Sequence, residues 1–140
     1  MKIESRIGKS EFPAEKVFTF ISDFRNFNNF IPVEQISDWT AEKDHCSFRM
    51  DLIGTVKLLI VEKEENALIK ISSDPSAGQY NFNLWIQLKS VSVKDTRIKI
   101  TIEPLLSAFM LPMVKKPLKS FVDSLVDEIE KFNFATTDPA

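Results

Sequence analysis

The chain has 140 residues, 44% hydrophobic and 27% charged, which suits one soluble globular domain around a single core. A formal net charge of −2 provides no positive field for a nucleic acid, and one cysteine, Cys46, excludes an intrachain disulfide and a cysteine metal cluster. The opening MKIESRIGKS lacks the apolar run of a signal peptide, and the longest apolar segment, LLSAFMLPMV, is about half a membrane span. The expectation is a cytoplasmic protein with no integral membrane association.

In KIESRIGKS, Ile3, Ser5 and Ile7 alternate with Lys2, Glu4 and Arg6, which predicts a half-buried strand. The period then changes. Pro13 suits the first turn of a helix, and Val17, Phe18 and Ile21 form its apolar stripe. Asp23 is a fitting N-cap for a second short helix carrying Phe24, Phe27 and Phe30, which Pro32 ends. From Val33 to Glu103 the pattern is strand. HCSFRMDL sets Cys46, Phe48, Met50 and Leu52 against His45, Ser47, Arg49 and Asp51. Gly54 marks a turn before VKLLIVEKE, where alternation is poor, and EENA and DPSAG mark two more turns. QYNFNLWIQLKSV and TRIKITIE alternate cleanly, as antiparallel strands with one solvated face do.

The last segment sets Leu111, Val114, Leu118, Phe121, Val122, Leu125, Ile129 and Phe132 on one helical face. Two prolines complicate its start. Pro112 fits a first turn, but Pro117 removes the bond to the Met113 carbonyl and either kinks the helix or marks its effective start. A firm helix is therefore expected from about Leu118, headed by an apolar flap over Phe109–Val114. The layout is α+β: one strand, two short helices, more strands to a total of about seven, and one long helix. One domain is expected over 1–133, with 134–140 a disordered tail.

That order, read with FPAEKVFTFISDFRNFNNFIP, resembles the helix-grip superfamily (START, also called SRPBCC), which includes lipid-transfer domains, plant allergens, polyketide cyclases and coenzyme Q-binding proteins. The resemblance implies a curved antiparallel sheet wrapped around the long C-terminal helix, with an apolar cavity between them. From the sheet, Phe48, Met50, Ile69, Ile71, Phe82, Leu84 and Ile100 would line it. The helices would add Phe27, Phe30, Met113, Leu118 and Phe121, and the flap Phe109 and Met110. Tyr80 is the polar candidate among them, placed to bond a ligand oxygen or to face water at the rim. The glycine-rich loop of the allergens has no counterpart, since Gly8, Gly54 and Gly78 are isolated, and no catalytic signature of the cyclases can be placed.

His45, the single histidine, shares the solvated face with Arg49 and Asp51 and reads as a surface residue. Cys46 reads as a small buried hydrophobe. Glu62, Glu64 and Glu65 crowd a turn, while Asp123, Asp127, Glu128 and Glu130 line a solvated helix face. Lys115, Lys116 and Lys119 lie near the start of that helix, against its dipole. They read as solubilising surface or as a site for an anionic head group or membrane surface. Trp85 points outward, towards a partner or beneath a loop of its own chain. No cofactor or metal ligand set is visible. The leading expectation is a monomer that binds a lipid, polyketide or quinone-like molecule; the alternatives are a cyclase or dehydratase and a co-chaperone-like interaction domain.

Overall fold

A computed structural model describes residues 1–32, 34–51, 53–74 and 81–136. In chain order come β1 (Ile3–Glu4), β2 (Gly8–Ser10), α1 (Ala14–Ile21), a 3₁₀ helix (Phe24–Asn29), β3 (Ile36–Ala41), β4 (His45–Met50), β5 (Gly54–Glu64), β6 (Leu68–Ser73), β7 (Phe82–Ser92), β8 (Asp95–Pro104), α2 (Leu111–Lys131) and a second 3₁₀ turn (Phe134–Thr136). One antiparallel sheet runs β1-β8-β7-β6-β5-β4-β3, with β2 also on β8. Its buried face carries the inward rows of β4 to β8, and α2 packs across it closest to β8, β2 and β1.

The N-terminal alternation breaks midway. Ile3 pairs with Ile102 and Glu4 with Thr101, but Gly8 pairs with Ile98, so the N-terminal side holds one extra residue. Ser5 occupies the break: its N–H donates to the Ile100 carbonyl (2.8 Å) and its Oγ accepts from the Ile100 N–H (2.9 Å). Parity flips there. Ile7, expected inside, is 64% exposed, and Gly8 turns inward. A Cβ on Gly8 would lie 2.5 Å from Val126 Cγ1, so only glycine lets β2 approach α2 this closely.

Pro13 stands at the N-cap of α1 rather than in its first turn, its carbonyl accepting from Lys16 and Val17. Asp23 caps the 3₁₀ helix, Oδ1 accepting from the Arg25 N–H at 2.9 Å. A 3₁₀ helix repeats every three residues, so the Phe24, Phe27, Phe30 spacing aligns three rings on one side, and all three are buried.

Two expectations at the C-terminus are corrected. The helix runs unbroken from Leu111 through Pro117 to Lys131 and does not start near Leu118. Pro117 leaves the Met113 carbonyl without its helical partner, but Met113 lies on the exposed side, where the cost of that lost bond is small. Phe134, assigned to a disordered tail, is fully buried against Phe12, Phe20, Phe30 and Phe132, so the packed chain extends past 133. Residues 137–140 of the expected tail lie outside the described residues.

Candidate functional site

Most of the phenylalanines fall in two groups, which meet where Phe27 packs edge-on against Phe30 (5.7 Å). Phe12, Phe20, Phe30, Phe132 and Phe134 make ring contacts of 4.9 to 6.4 Å and close the end of the core beside α1. The second group forms a row. Phe24 meets Phe27 (5.3 Å), Phe27 stacks on Trp39 (6.4 Å), Trp39 meets Phe48 (5.9 Å), and Phe48 stacks on Phe121 of α2 (6.1 Å, 23° between planes).

Two cavities flank this last stack. The first, about 20 Å³, lies among Met50, Val56, Phe82, Ile102 and Leu118; the second, about 30 Å³, lies among Phe24, Phe27, Ile36, Trp39, Ile71 and Leu125. Phe48, Leu58, Leu84 and Phe121 line both, so one partition separates them. Each has room for about one or two water-sized spheres, yet the lining is almost wholly apolar, and a buried water needs two or more polar partners. The Trp39 indole Nε1 is buried and has no hydrogen-bond partner among the described residues, but it contributes no surface to the cavity as it stands. Cys46 also lines the second cavity, and burial pushes its thiol up to about 12, which keeps it protonated and inert as a nucleophile.

Trp39 is inward because of a local irregularity. Ile36 pairs with Met50 and Ser37 with Arg49, whereas Thr40 pairs with Ser47, so β3 carries one extra residue. Asp38 absorbs it at φ 56°, a left-handed conformation that aspartate tolerates better than most residues. Alternation from Ile36 alone would put Trp39 outside.

Eight of the expected lining residues come together here: Phe27, Phe48, Met50, Ile71, Phe82, Leu84, Leu118 and Phe121. Phe30, Ile69 and Ile100 are fully buried but touch neither cavity. The flap is corrected outright. Phe109 is 83% and Met113 60% exposed, and Met110 is only half-buried, because Val114, Leu118, Phe121 and Leu125 set the inward face of α2 and Met113 falls opposite. Tyr80 and Leu52 lie outside the described residues. Sequence reading missed Trp39, Ile36, Val56, Leu58 and Leu125 as lining; the helical stripe of α2 carried a signal for Leu125, and only the first residues of β5 alternate, at Val56 and Leu58.

The two sides of α2 are held differently. On the β1–β2 side, Arg6 donates to Asp127 Oδ1 (Nε, 2.8 Å) and Glu130 Oε2 (Nη2, 2.6 Å), and its N–H donates to Asp123 Oδ1 (2.8 Å). The Lys9 N–H donates to Glu130 Oε1 (2.8 Å), and Lys119 Nζ donates to the Glu4 carbonyl (2.7 Å) and Asp123 (3.2 Å). Of the acids read as a solvated face, Asp123, Asp127 and Glu130 therefore grip the N-terminal strands, while Glu128 pairs with Lys131 (3.1 Å). The hydrogen bond from Arg6 holds the Glu130 carboxyl below the usual carboxylate range. On the β3 side, the side-chain bond found among the described residues is Gln35 Nε2 to Ser120 Oγ (2.6 Å), and Gln35 Oε1 is buried without a partner.

Other chemistry is sparse. His45 is exposed and lines an open outer groove of about 370 Å³ with Thr40, Glu42, Lys57 and Asp74. Trp85 is half-buried on the outer face beneath Lys2 Nζ (4.9 Å from the ring) and Lys70 Nζ (5.8 Å). Among the described residues no His, Cys, Asp and Glu group could hold a metal, and no helix is long and apolar enough to cross a membrane.

In sequence the chain matches no family model and no curated protein. In structure it is similar to a START superfamily protein from Mycobacterium smegmatis, at TM-score 0.70 and 13% identity over 92% of this chain and 94% of that one. It is similar to norcoclaurine synthase from Thalictrum flavum in complex with dopamine and hydroxybenzaldehyde, at TM-score 0.72 and 13% identity over 99% and 88%. A conserved protein from Geobacillus kaustophilus matches at TM-score 0.67 and 12% identity over 93% and 92%. The chain has the helix-grip fold.

Proposed function

We propose that this helix-grip chain binds one small apolar or amphipathic molecule between sheet and α2, in a site that opens when Phe121 parts from Phe48. The observation that carries the reading is the pair of apolar cavities divided by one partition, made of the Phe48–Phe121 stack with Leu58 and Leu84. Close packing leaves few voids in a protein interior, and apolar voids forfeit contacts on every wall. An apolar occupant restores those contacts. The cavities as they stand are far smaller than the roughly 150 Å³ that accommodates benzene, so binding must displace the partition. The asymmetry around α2 gives that motion a direction: the Arg6 grip holds one side, while Gln35–Ser120 closes the other.

The occupant is of the lipid, polyketide or quinone-like class, with one aromatic ring the smallest useful probe. The ligands bound by norcoclaurine synthase belong to this size range. Once the partition opens, an occupant that carries a hydrogen-bond acceptor can take up the unpartnered Trp39 Nε1–H. We read the protein as a monomeric cytoplasmic binder. An enzyme reading gains no support from the described lining, where Cys46 is the one ionisable side chain. An interaction reading loses its anchor, since Lys2 and Lys70 cover Trp85.

Native mass spectrometry with small aromatic probes tests the reading. A one-to-one adduct is expected, and Leu84→Phe, which enlarges the wall that both cavities share at a cost of about 1–3 kcal/mol, should abolish it. An adduct that survives in a folded Leu84→Phe protein, or no adduct with any probe, would overturn the assignment.

A further inference from the structure

A second feature stands apart from the cavities. Leu105 (55% exposed), Phe109 and Met113 project from the β8–α2 connection and the first turn of α2. Elsewhere Met1, Ile7 and Val61 are scattered singly, and Val91 and Val93 lie together at the β7–β8 hairpin end without an aromatic ring. Phe109, by contrast, is a whole ring in solvent with Met113 four residues on. Met113 and Lys116 are one turn apart on the outward side of α2, and Lys115 is exposed beside them. Among the described residues neither Lys115 nor Lys116 makes an ion pair, whereas Lys119 is taken up by Glu4 and Asp123. The three lysines thus separate into one that grips the fold and two that do nothing within it.

Both unpaired cations oppose the helix dipole, and the acids of α2 lie in its later turns with Arg6 and Lys9. On a protein of net charge −2, the start of α2 therefore combines an apolar tip that carries a whole aromatic ring with a cationic flank. Its chemistry complements an interface in which apolar groups enter an acyl layer and lysines meet anionic head groups. We propose that the protein docks reversibly on anionic membrane surfaces through Phe109 and Met113, with Lys115 and Lys116 at the head groups. The two signals are individually weak, so the binding is peripheral and salt-sensitive. The proposal is independent of whether the cavities open.

The test is sedimentation of the full chain with phosphatidylcholine vesicles, and with vesicles in which part of that lipid is phosphatidylglycerol. Binding should appear with the anionic vesicles, weaken about tenfold in Phe109→Ser, weaken about fivefold for each of Lys115→Gln and Lys116→Gln, and fall as salt rises. These side chains are exposed, so the variants should keep the wild-type melting temperature and circular dichroism. Equal binding to both vesicle types, binding indifferent to the lysines, or none to either would overturn the proposal. So would self-association abolished by Phe109→Ser without vesicle binding, which would assign the patch to a second copy.

Discussion

Arg6 joins the first strand to the last helix more firmly than its place in the sequence suggests. Its guanidinium spans Asp127 and Glu130, and its backbone N–H reaches Asp123, but all these groups remain partly in water. Solvent screening limits the side-chain grip to about 1 kcal/mol, which is the loss expected for Arg6→Ala in urea unfolding. Because Arg6 lowers the Glu130 pKa in the folded protein, that contribution is fully present above the ordinary carboxylate value and disappears as pH falls through the depressed one. Arg6→Ala should accordingly lose its deficit relative to wild type in strong acid; a pH-independent difference would mean that packing, not the ion pair, carries it. Trp39 makes a different prediction. Trp39→Phe keeps the ring row and removes the unpartnered N–H, so it should weaken benzaldehyde binding by about 3- to 10-fold and leave toluene unchanged. Equal losses for both probes in calorimetry would show that the indole serves only as bulk.

The strands and helices were legible where period alone decides them. Alternation located β4, β7 and β8, the three-residue phenylalanine spacing marked a short helix, and the 3.6-residue stripe identified α2. What escaped was each point where one inserted residue reverses parity. Ser5–Ile7 shifts the first strand, Asp38 shifts β3, and a third irregularity between Ile60 and Glu62 explains why VKLLIVEKE alternates poorly. Bulges depend on partner strands, which a single segment cannot reveal, so Trp39 could not be placed by alternation. Prolines mislead for a related reason. Pro117 reads as a kink or as the effective start of the helix, yet tertiary packing of Val114, Leu118 and Phe121 holds the helix through it. Pro117→Ala should therefore stabilise the protein, by about 2 kcal/mol once the roughly 3 kcal/mol helix penalty is offset by about 1 kcal/mol of unfolded-chain entropy. An unchanged or lower urea midpoint would show that the half-buried ring contributes packing that alanine lacks.

The molecule's aromatic wealth serves two purposes that composition could not separate. Near α1 the rings interlock into closed core, while Phe27, Trp39, Phe48 and Phe121 border the voids. Much of the candidate site was readable from inward rows, because a row that faces the helix must line whatever space lies between. Its closure was not readable. Whether two inward phenylalanines meet or leave a gap depends on how far the helix stands from β4, a distance set by Gly8, Arg6 and Gln35 at other points in the chain. The exposed patch at the start of α2 was legible only in part, since charge spacing exposed the lysines but not which of them the fold would occupy.

The central claim is that the half of the core containing Phe48 and Phe121 opens to an apolar guest while the other half does not. Titration with toluene, followed through the aromatic and methyl resonances of the isotope-labelled protein, tests it most directly. Saturable one-site shifts are expected for Phe48, Phe121, Leu118 and Leu125, with Phe12, Phe20 and Phe134 unmoved. Shifts spread evenly over both clusters, or confined to the surface without saturation, would contradict it.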